Sequence, residues 1–254
     1  MIAEERRVEI LKKLNENRYV QVSELAEEFN VSTVTIRNDL DKIEADGLCV
    51  RKRGGAIRIN PGVTVEMPYD IKRHEMVNEK ERIAFAALKL IEDGDTFILD
   101  AGSTTYALAL LLESKSQITV ITNDLKIAVK LAENPKIKLI CTGGIARNSV
   151  YSLQGSIAEQ VINNLRVDKT FLGADAVHPN GRISNVNIEE VPLKKAMMKA
   201  ADQVILLSDS TKFTKSGFYK VCEMDEIDVI ITDKNLSKDV KEFIETYQVE
   251  TILV

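Results

Sequence analysis

From residue 95 onward the chain is punctuated by seven short β-type runs: 95–99 (DTFIL), 118–122 (ITVIT), 137–141 (IKLIC), 169–173 (KTFLG), 204–208 (VILLS), 227–231 (IDVII) and 249–254 (VETILV). Helical segments fall between most of them. Strands that alternate with helices bury their faces when the helices cover a shared sheet, so this spacing predicts an α/β domain with a largely parallel sheet. The pattern cannot account for the first third of the 254 residues, and a chain of that length has room for a second core.

The N-terminal part reads differently. In EERRVEILKKLNEN, 4–17, Val8, Ile10, Leu11 and Leu14 form a helical stripe. Ser23 with Glu24, Glu27 and Glu28 suits a helix start, with Leu25, Ala26 and Phe29 on the apolar side. Asn30 closes that helix and Ser32 opens the next, in which Ile36, Leu40 and Ile43 recur at helical spacing. After Gly47, LCVRKRGGAIRI alternates and turns as a two-stranded hairpin would. Three short helices followed by a basic hairpin is a winged helix-turn-helix pattern.

Such a unit contacts DNA through short side chains at the start of its recognition helix and a longer donor further in. Ser32, Thr33, Thr35 and Arg37 supply these, and Asn38 suits an adenine edge, with Val34, Ile36 and Leu40 expected to face inward. Arg51, Lys52 and Arg53 at the hairpin tip form a cationic patch for the phosphate backbone or the minor groove. The formal charge of -5 does not oppose this. Residues 1–60 hold 11 basic and 11 acidic side chains, and residues 61–254 hold 23 against 28, so the deficit lies outside the helical part. The bland alternative is a capped surface helix beside solvated basic residues.

In the α/β part, polar groups gather where strands end. In ILDAGSTTYALA, 98–109, Asp100 closes a strand, Gly102 bares the backbone, and Ser103, Thr104 and Thr105 start a helix, which together make a phosphate cradle. Asp100 would repel a phosphate and is better suited to sugar hydroxyls or to orienting the loop. Thr122 and Asn123 lie at another strand end, where open α/β sheets collect ligands. Gly143 and Gly144 permit a sharp turn ahead of Arg147, a forked donor. Gly173 and Asp175, Glu189 or Glu190 with Lys194 and Lys195, and Asp209, Ser210 and Lys212 complete the set. Each stretch taken alone also reads as a routine strand–turn–helix junction.

The stretch SELAEEFNVSTVTIRNDLDKIEADGLCVRKRGGAI resembles the N-terminal signature of the DeoR family of bacterial transcriptional regulators, through Leu25, Val31, Ser32, Thr35, Ile36, Arg37, Asp39, Leu40, Gly47, Gly54, Gly55 and Ala56. Asn38 stands where the family usually has Arg, and Arg53 where it has His. DAGSTT, TN, GG followed by Arg147, DKTFLGAD, EEVPLKKAM and SDSTKF resemble its sensor half, so the likeness covers essentially the whole chain. Ala176 replaces the usual Gly of ADG, and Gly155-Ser156 the usual Gly-Pro.

The resemblance implies a winged helix joined to a sensor domain with a fold like ribose-5-phosphate isomerase. It implies a repressor of a carbohydrate-metabolism operon, released from operator duplex DNA by a phosphorylated sugar or related metabolite and working as a homodimer or homotetramer. Ser103, Thr104 and Thr105 would meet the phosphate, with Gly102 baring the loop. Asp100, Asn123, Gly144, Arg147, Asp175, Glu190, Lys194 and Lys212 would surround the rest. The expected division is 1–58 DNA-binding domain, 59–79 linker with a short lead-in helix, and 80–254 sensor domain.

The rival reading is a sugar-phosphate isomerase, which the Asp175–Lys194 pairing and the GSTT loop favour but which has no use for the N-terminal module. A winged helix that makes protein contacts only is a third. No cofactor or metal is expected. Cys49, Cys141 and Cys222 form no CxxC or Cys/His cluster, Cys141 reads as buried at a strand end, and a reducing cytoplasm fits. No signal peptide is evident, and no apolar run reaches the roughly 18–20 residues of a membrane span.

Overall fold

The structure is a computed structural model that describes residues 1–59 and 66–254. It divides into two compact units, Met1–Glu75 and Met76–Val254.

The first unit runs α1 (Ala3–Asn17), β1 (Tyr19–Gln21), α2 (Val22–Glu28), α3 (Thr33–Ala45), β2 (Cys49–Lys52), β3 (Gly55–Arg58) and α4 (Tyr69–His74). Val8, Ile10, Leu11 and Leu14 of α1 meet Leu25 of α2 and Ile36, Leu40 and Ile43 of α3 in one core. Fully burying each such side chain contributes about 1.5–3 kcal/mol. Asn30 takes a left-handed φ of 51° between α2 and α3, and Ser32 caps α3 by accepting from the Thr35 N–H at 3.1 Å.

The sheet differs from the two-stranded expectation. Its order is β1-β3-β2, because Tyr19–Gln21 pairs antiparallel with β3. That third strand moves the start of α2 to Val22, with Gln21 at the N-cap and no side-chain cap, so Ser23 is not the capping residue. Gly55 is needed at this joint, since a Cβ there would fall 2.0 Å from the Val20 carbonyl oxygen. The expected 59–79 linker with its lead-in helix contains α4 and the start of α5 (Val77–Leu88). Tyr69 and Ile71 of α4 are buried, Ile71 within the first unit's core, and α5 begins at Val77. Residues 60–65, which carry the Pro-Gly reading, lie outside the described residues.

The second unit runs α5 (Val77–Leu88), β4 (Thr96–Leu99), α6 (Ser103–Leu111), β5 (Thr119–Thr122), α7 (Leu125–Ala132), β6 (Lys138–Cys141), β7 (Ile145–Ala146), β8 (Leu153–Gln154), α8 (Ser156–Asn163) and β9 (Val167–Leu172). It continues β10 (Ala176–Val177), β11 (Arg182–Asn185), α9 (Val191–Ala200), β12 (Ala201–Leu207), β13 (Tyr219–Glu223), β14 (Val229–Thr232), α10 (Lys238–Glu245) and β15 (Glu250–Leu253). Seven strands form one parallel sheet in the order β15-β14-β12-β9-β4-β5-β6.

Successive side chains of a strand point to opposite faces, and here both faces are covered. Ile98, Leu206 and Ile230 enter one core, while Phe97, Leu99, Ile205, Leu207, Val229 and Ile231 enter the other. Two small antiparallel pieces have no counterpart in the sequence reading: the sheet β10-β11-β13 and the hairpin β7-β8. Cys141 is exposed rather than buried, because β6 is the sheet's edge strand and Cys141 is its last residue.

Candidate functional site

At 100° per residue, α3 sorts its side chains into two sides. Ile36, Asp39, Leu40 and Ile43 are buried, while Thr33, Val34, Arg37, Asn38 and Asp41 are exposed along one stripe. Val34 was expected to face inward but is 59% exposed, because its neighbours in helical register are Thr33, Arg37 and Asn38 rather than Ile36 and Leu40. Thr35 is half-buried, and its hydroxyl lies 2.8 Å from the Ser32 hydroxyl. Beneath the stripe, Asp39 Oδ2 accepts from Arg6 Nε of α1 at 2.5 Å, with both residues buried.

The three hairpin cations separate. Arg51 Nη1 donates to the Arg37 carbonyl at 3.0 Å and to Asp41 Oδ1 at 2.8 Å, which ties the hairpin to α3. Its backbone N–H donates to Glu44 Oε1 at 2.6 Å. Lys52 and Arg53 remain exposed at the hairpin tip. Ser32, Thr33, Arg37, Asn38, Lys52 and Arg53 are all exposed and carry polar or cationic side chains.

In the second unit the winding reverses at β4. The chain proceeds to β5 and β6 on one side, then returns to β9 on the other. Crevices form at the carboxyl ends of strands at such a reversal. Asp100 directly follows β4, Asn123 follows β5 and Gly173 follows β9, while Lys212 lies in the 3-10 turn Ser210–Thr214 that follows β12.

Asp100 is buried, and its Oδ2 accepts from the Gly173 N–H at 2.9 Å and from Lys194 Nζ. Lys194 also donates to the Gly173 carbonyl at 2.9 Å. Burial by itself would lower the Lys194 pKa. The negative charges of Asp100, Glu190 and Asp175 outweigh burial and raise it, so the ammonium stays charged. Glu190 is the second hub: Oε1 accepts from Arg147 Nη1 at 2.6 Å and from the Ser152 hydroxyl at 2.9 Å, and Oε2 from Asn185 Nδ2 at 2.8 Å. Asp175 Oδ2 accepts from the Val186 N–H at 3.0 Å. Asp100, Asp175, Glu190, Arg147 and Lys194, far apart in sequence, thus form one charged cluster.

Ser103, Thr104 and Thr105 occupy the first turn of α6, whose N–H groups have no helical acceptors. They do not stand alike. Thr105 is fully buried and its hydroxyl donates to the Gly102 carbonyl at 2.9 Å, so it closes the turn rather than facing outward. Asn123 bridges to β8, its Nδ2 donating to the Leu153 carbonyl at 3.3 Å. Gly144 has φ of 112°, and a Cβ there would lie 2.6 Å from the Gln154 carbonyl oxygen, so the β7-β8 hairpin closes only on glycine.

Asp124 is the residue the sequence reading passed over. It is fully buried, caps α7 through Oδ1 to the N–H groups of Lys126 (2.7 Å) and Ile127 (3.0 Å), and accepts from the Gly102 N–H through Oδ2 at 3.2 Å. Burial pushes its carboxyl up to about 6, aided by the charge of Asp100 and opposed by those three N–H donors. Its position at the end of β5, one residue beyond Asn123, was the available signal. Ser152 and Asn185 carried none, since their role is visible only once Glu190 is placed. No group of three or more His, Cys, Asp or Glu suited to a metal occurs among the described residues. No described helix is long and apolar enough to cross a membrane.

A helix-turn-helix unit whose β2-β3 hairpin forms a wing, followed by a parallel α/β unit with a charged cluster at its strand reversal, is the architecture of a ligand-responsive transcription regulator. Residues 6–61 match the profile of the DeoR-like helix-turn-helix domain, and residues 75–234 match that of the DeoR C terminal sensor domain. The chain belongs to the DeoR family of transcriptional regulators: a DNA-binding domain and a small-molecule sensor domain, not an enzyme.

Among relatives, a protein of Escherichia coli O157:H7 assigned as the aga operon transcriptional repressor is 36% identical over 98% of this chain and 93% of its own length. The regulator GolR of Listeria innocua is 33% identical over 92% of each chain. The L-fucose operon activator of Haemophilus influenzae is 29% identical over 96% of this chain and 97% of its own. Among solved structures, ribose 5-phosphate isomerase A of Methanocaldococcus jannaschii matches 54% of each chain with a TM-score of 0.39 and 20% identity, an overlap that says nothing about activity.

Proposed function

We propose that this regulator represses a carbohydrate-metabolism operon and leaves its operator when a phosphorylated sugar or related metabolite binds the second unit. The observation that carries the reading is the charged cluster at the reversal of the parallel sheet, beside the first turn of α6. A phosphate suits the N–H groups of that turn with the hydroxyls of Ser103 and Thr104, because a helix N-terminus favours anions. A polyol suits the carboxylates of Asp100, Asp175 and Glu190 together with Asn123, Arg147, Lys194 and Lys212. The name of the L-fucose relative supports a sugar as the effector class, and the name of the aga relative supports repression.

Ser32, Thr33, Thr35, Arg37 and Asn38 with Lys52 and Arg53 form the DNA surface, and Arg51 holds the wing in register with α3. Operators are read by symmetric pairs, so the active species is a homodimer or homotetramer. The effector acts by binding the DNA-free form more tightly than the bound form. The test is binding to the duplex upstream of the gene: the intact chain binds that duplex specifically, and Arg37→Ala abolishes binding while the second unit's unfolding transition is unchanged. Full operator affinity in Arg37→Ala would remove α3 from the interface.

A further inference from the structure

Val34 stands out on the exposed stripe of α3. It is the second residue of the helix, it is 59% exposed, and its neighbours on that side are Thr33, Arg37 and Asn38. Those neighbours donate or accept hydrogen bonds, whereas Val34 can do neither. In a helix, a β-branched side chain is held in one dominant χ1 rotamer, so its two methyl groups are fixed before any partner arrives. A fixed apolar surface in the first turn of a recognition helix lies where such helices meet base edges. Phosphates and most groove edges offer it nothing. The one apolar group in the major groove is the C5-methyl of thymine.

We infer that Val34 is a base-reading residue that packs on the C5-methyl of one operator thymine and sets part of the sequence preference. The inference rests on α3 being the DNA-contacting helix. Val34 and Asn38 are four residues apart, about 6 Å along the helix axis. Base pairs are spaced by about 3.4 Å, so the thymine lies within about two base pairs of the base that Asn38 meets. Burying one methyl group corresponds to about a fourfold change in affinity.

The experiment uses the full chain and the upstream duplex delimited by footprinting. Each thymine in turn is replaced by deoxyuridine, which removes the methyl and leaves the hydrogen-bonding edges intact. Binding is measured for the natural chain and for Val34→Ala, whose fold is checked by circular dichroism; the substitution is at an exposed helical position and raises helix propensity. The expected result is one thymine per half-site where uridine weakens the natural chain about fourfold and leaves Val34→Ala unaffected. If uridine at every position affects both proteins equally while specific binding is retained, the inference is overturned and the DNA-binding reading stands. If neither protein binds the duplex specifically, both fall together.

Discussion

The buried ion pair between Arg6 and Asp39 joins α1 to the helix that carries the DNA surface. Its side chains are only 8% and 6% exposed, and Nε lies 2.5 Å from Oδ2. Replacing Asp39 with Ala leaves a guanidinium buried without its partner, which costs about 3–5 kcal/mol in comparable sites. A folded unit of this size holds only about 4–11 kcal/mol of stability, so the loss takes much of the total. At 4–8 °C per kcal/mol for a domain of 60–100 residues, the first unit should melt at least about 12 °C lower. Scanning calorimetry of the full chain follows this, with the transition of the second unit as an internal control.

The double variant Arg6→Met with Asp39→Leu should recover most of that loss, since replacing a buried pair with apolar groups of similar volume is close to neutral. A cost below about 1 kcal/mol for Asp39→Ala, or a double variant no better than the single, would mean that the buried pair does not hold α1 to α3.

Gly55→Ala should destabilise the first unit by roughly 1–3 kcal/mol, seen as a lower melting temperature, because backbone lies on both sides of the 2.0 Å contact. Thr104→Asp brings a like charge to the first turn of α6 and should abolish the response to a phosphorylated effector while operator affinity stays unchanged; an intact response would remove this turn from the site. Asp124 gives a pH signature. Its folded pKa of about 6 lies above the ordinary 3.8, so the folded chain binds the proton more tightly, and stability falls as pH rises from about 4 to 6. The shift corresponds to about 3 kcal/mol of stability, fully present below about pH 4 and lost once the pH has risen through about 6. Asp124→Asn should remove that slope from the second unit's unfolding between pH 4.5 and 7, and identical slopes in both proteins would contradict the burial argument.

Much of the fold was legible because its signals are local. Ser32 caps α3 as its hydroxyl suggests, and the runs around Ile98, Leu206 and Ile230 are apolar because both faces of their strands are covered. The strand-end residues were legible for a related reason: in a parallel α/β sheet, the end of each strand approaches the same edge. Features set by tertiary partners were not. Tyr19–Gln21 is too short to announce itself as a strand and forms only because β3 offers an edge. Cys141 has the context of a buried residue, but its exposure depends on β6 lying at the sheet's edge. Arg51 looked like its two basic neighbours until Asp41 and the Arg37 carbonyl were placed beside it. Asp124 followed the polar pair that drew attention at Thr122 and Asn123, yet its carboxylate joins α7 to the Gly102 turn.

The most direct test of the account is a titration of the protein–operator complex with a panel of sugar phosphates and their unphosphorylated partners, followed by fluorescence anisotropy. One phosphorylated compound should release the DNA, its unphosphorylated partner should not, and Thr104→Asp should no longer respond. Tight, specific DNA binding that no phosphorylated compound alters would contradict the assignment of the second unit's cluster as a phosphosugar sensor.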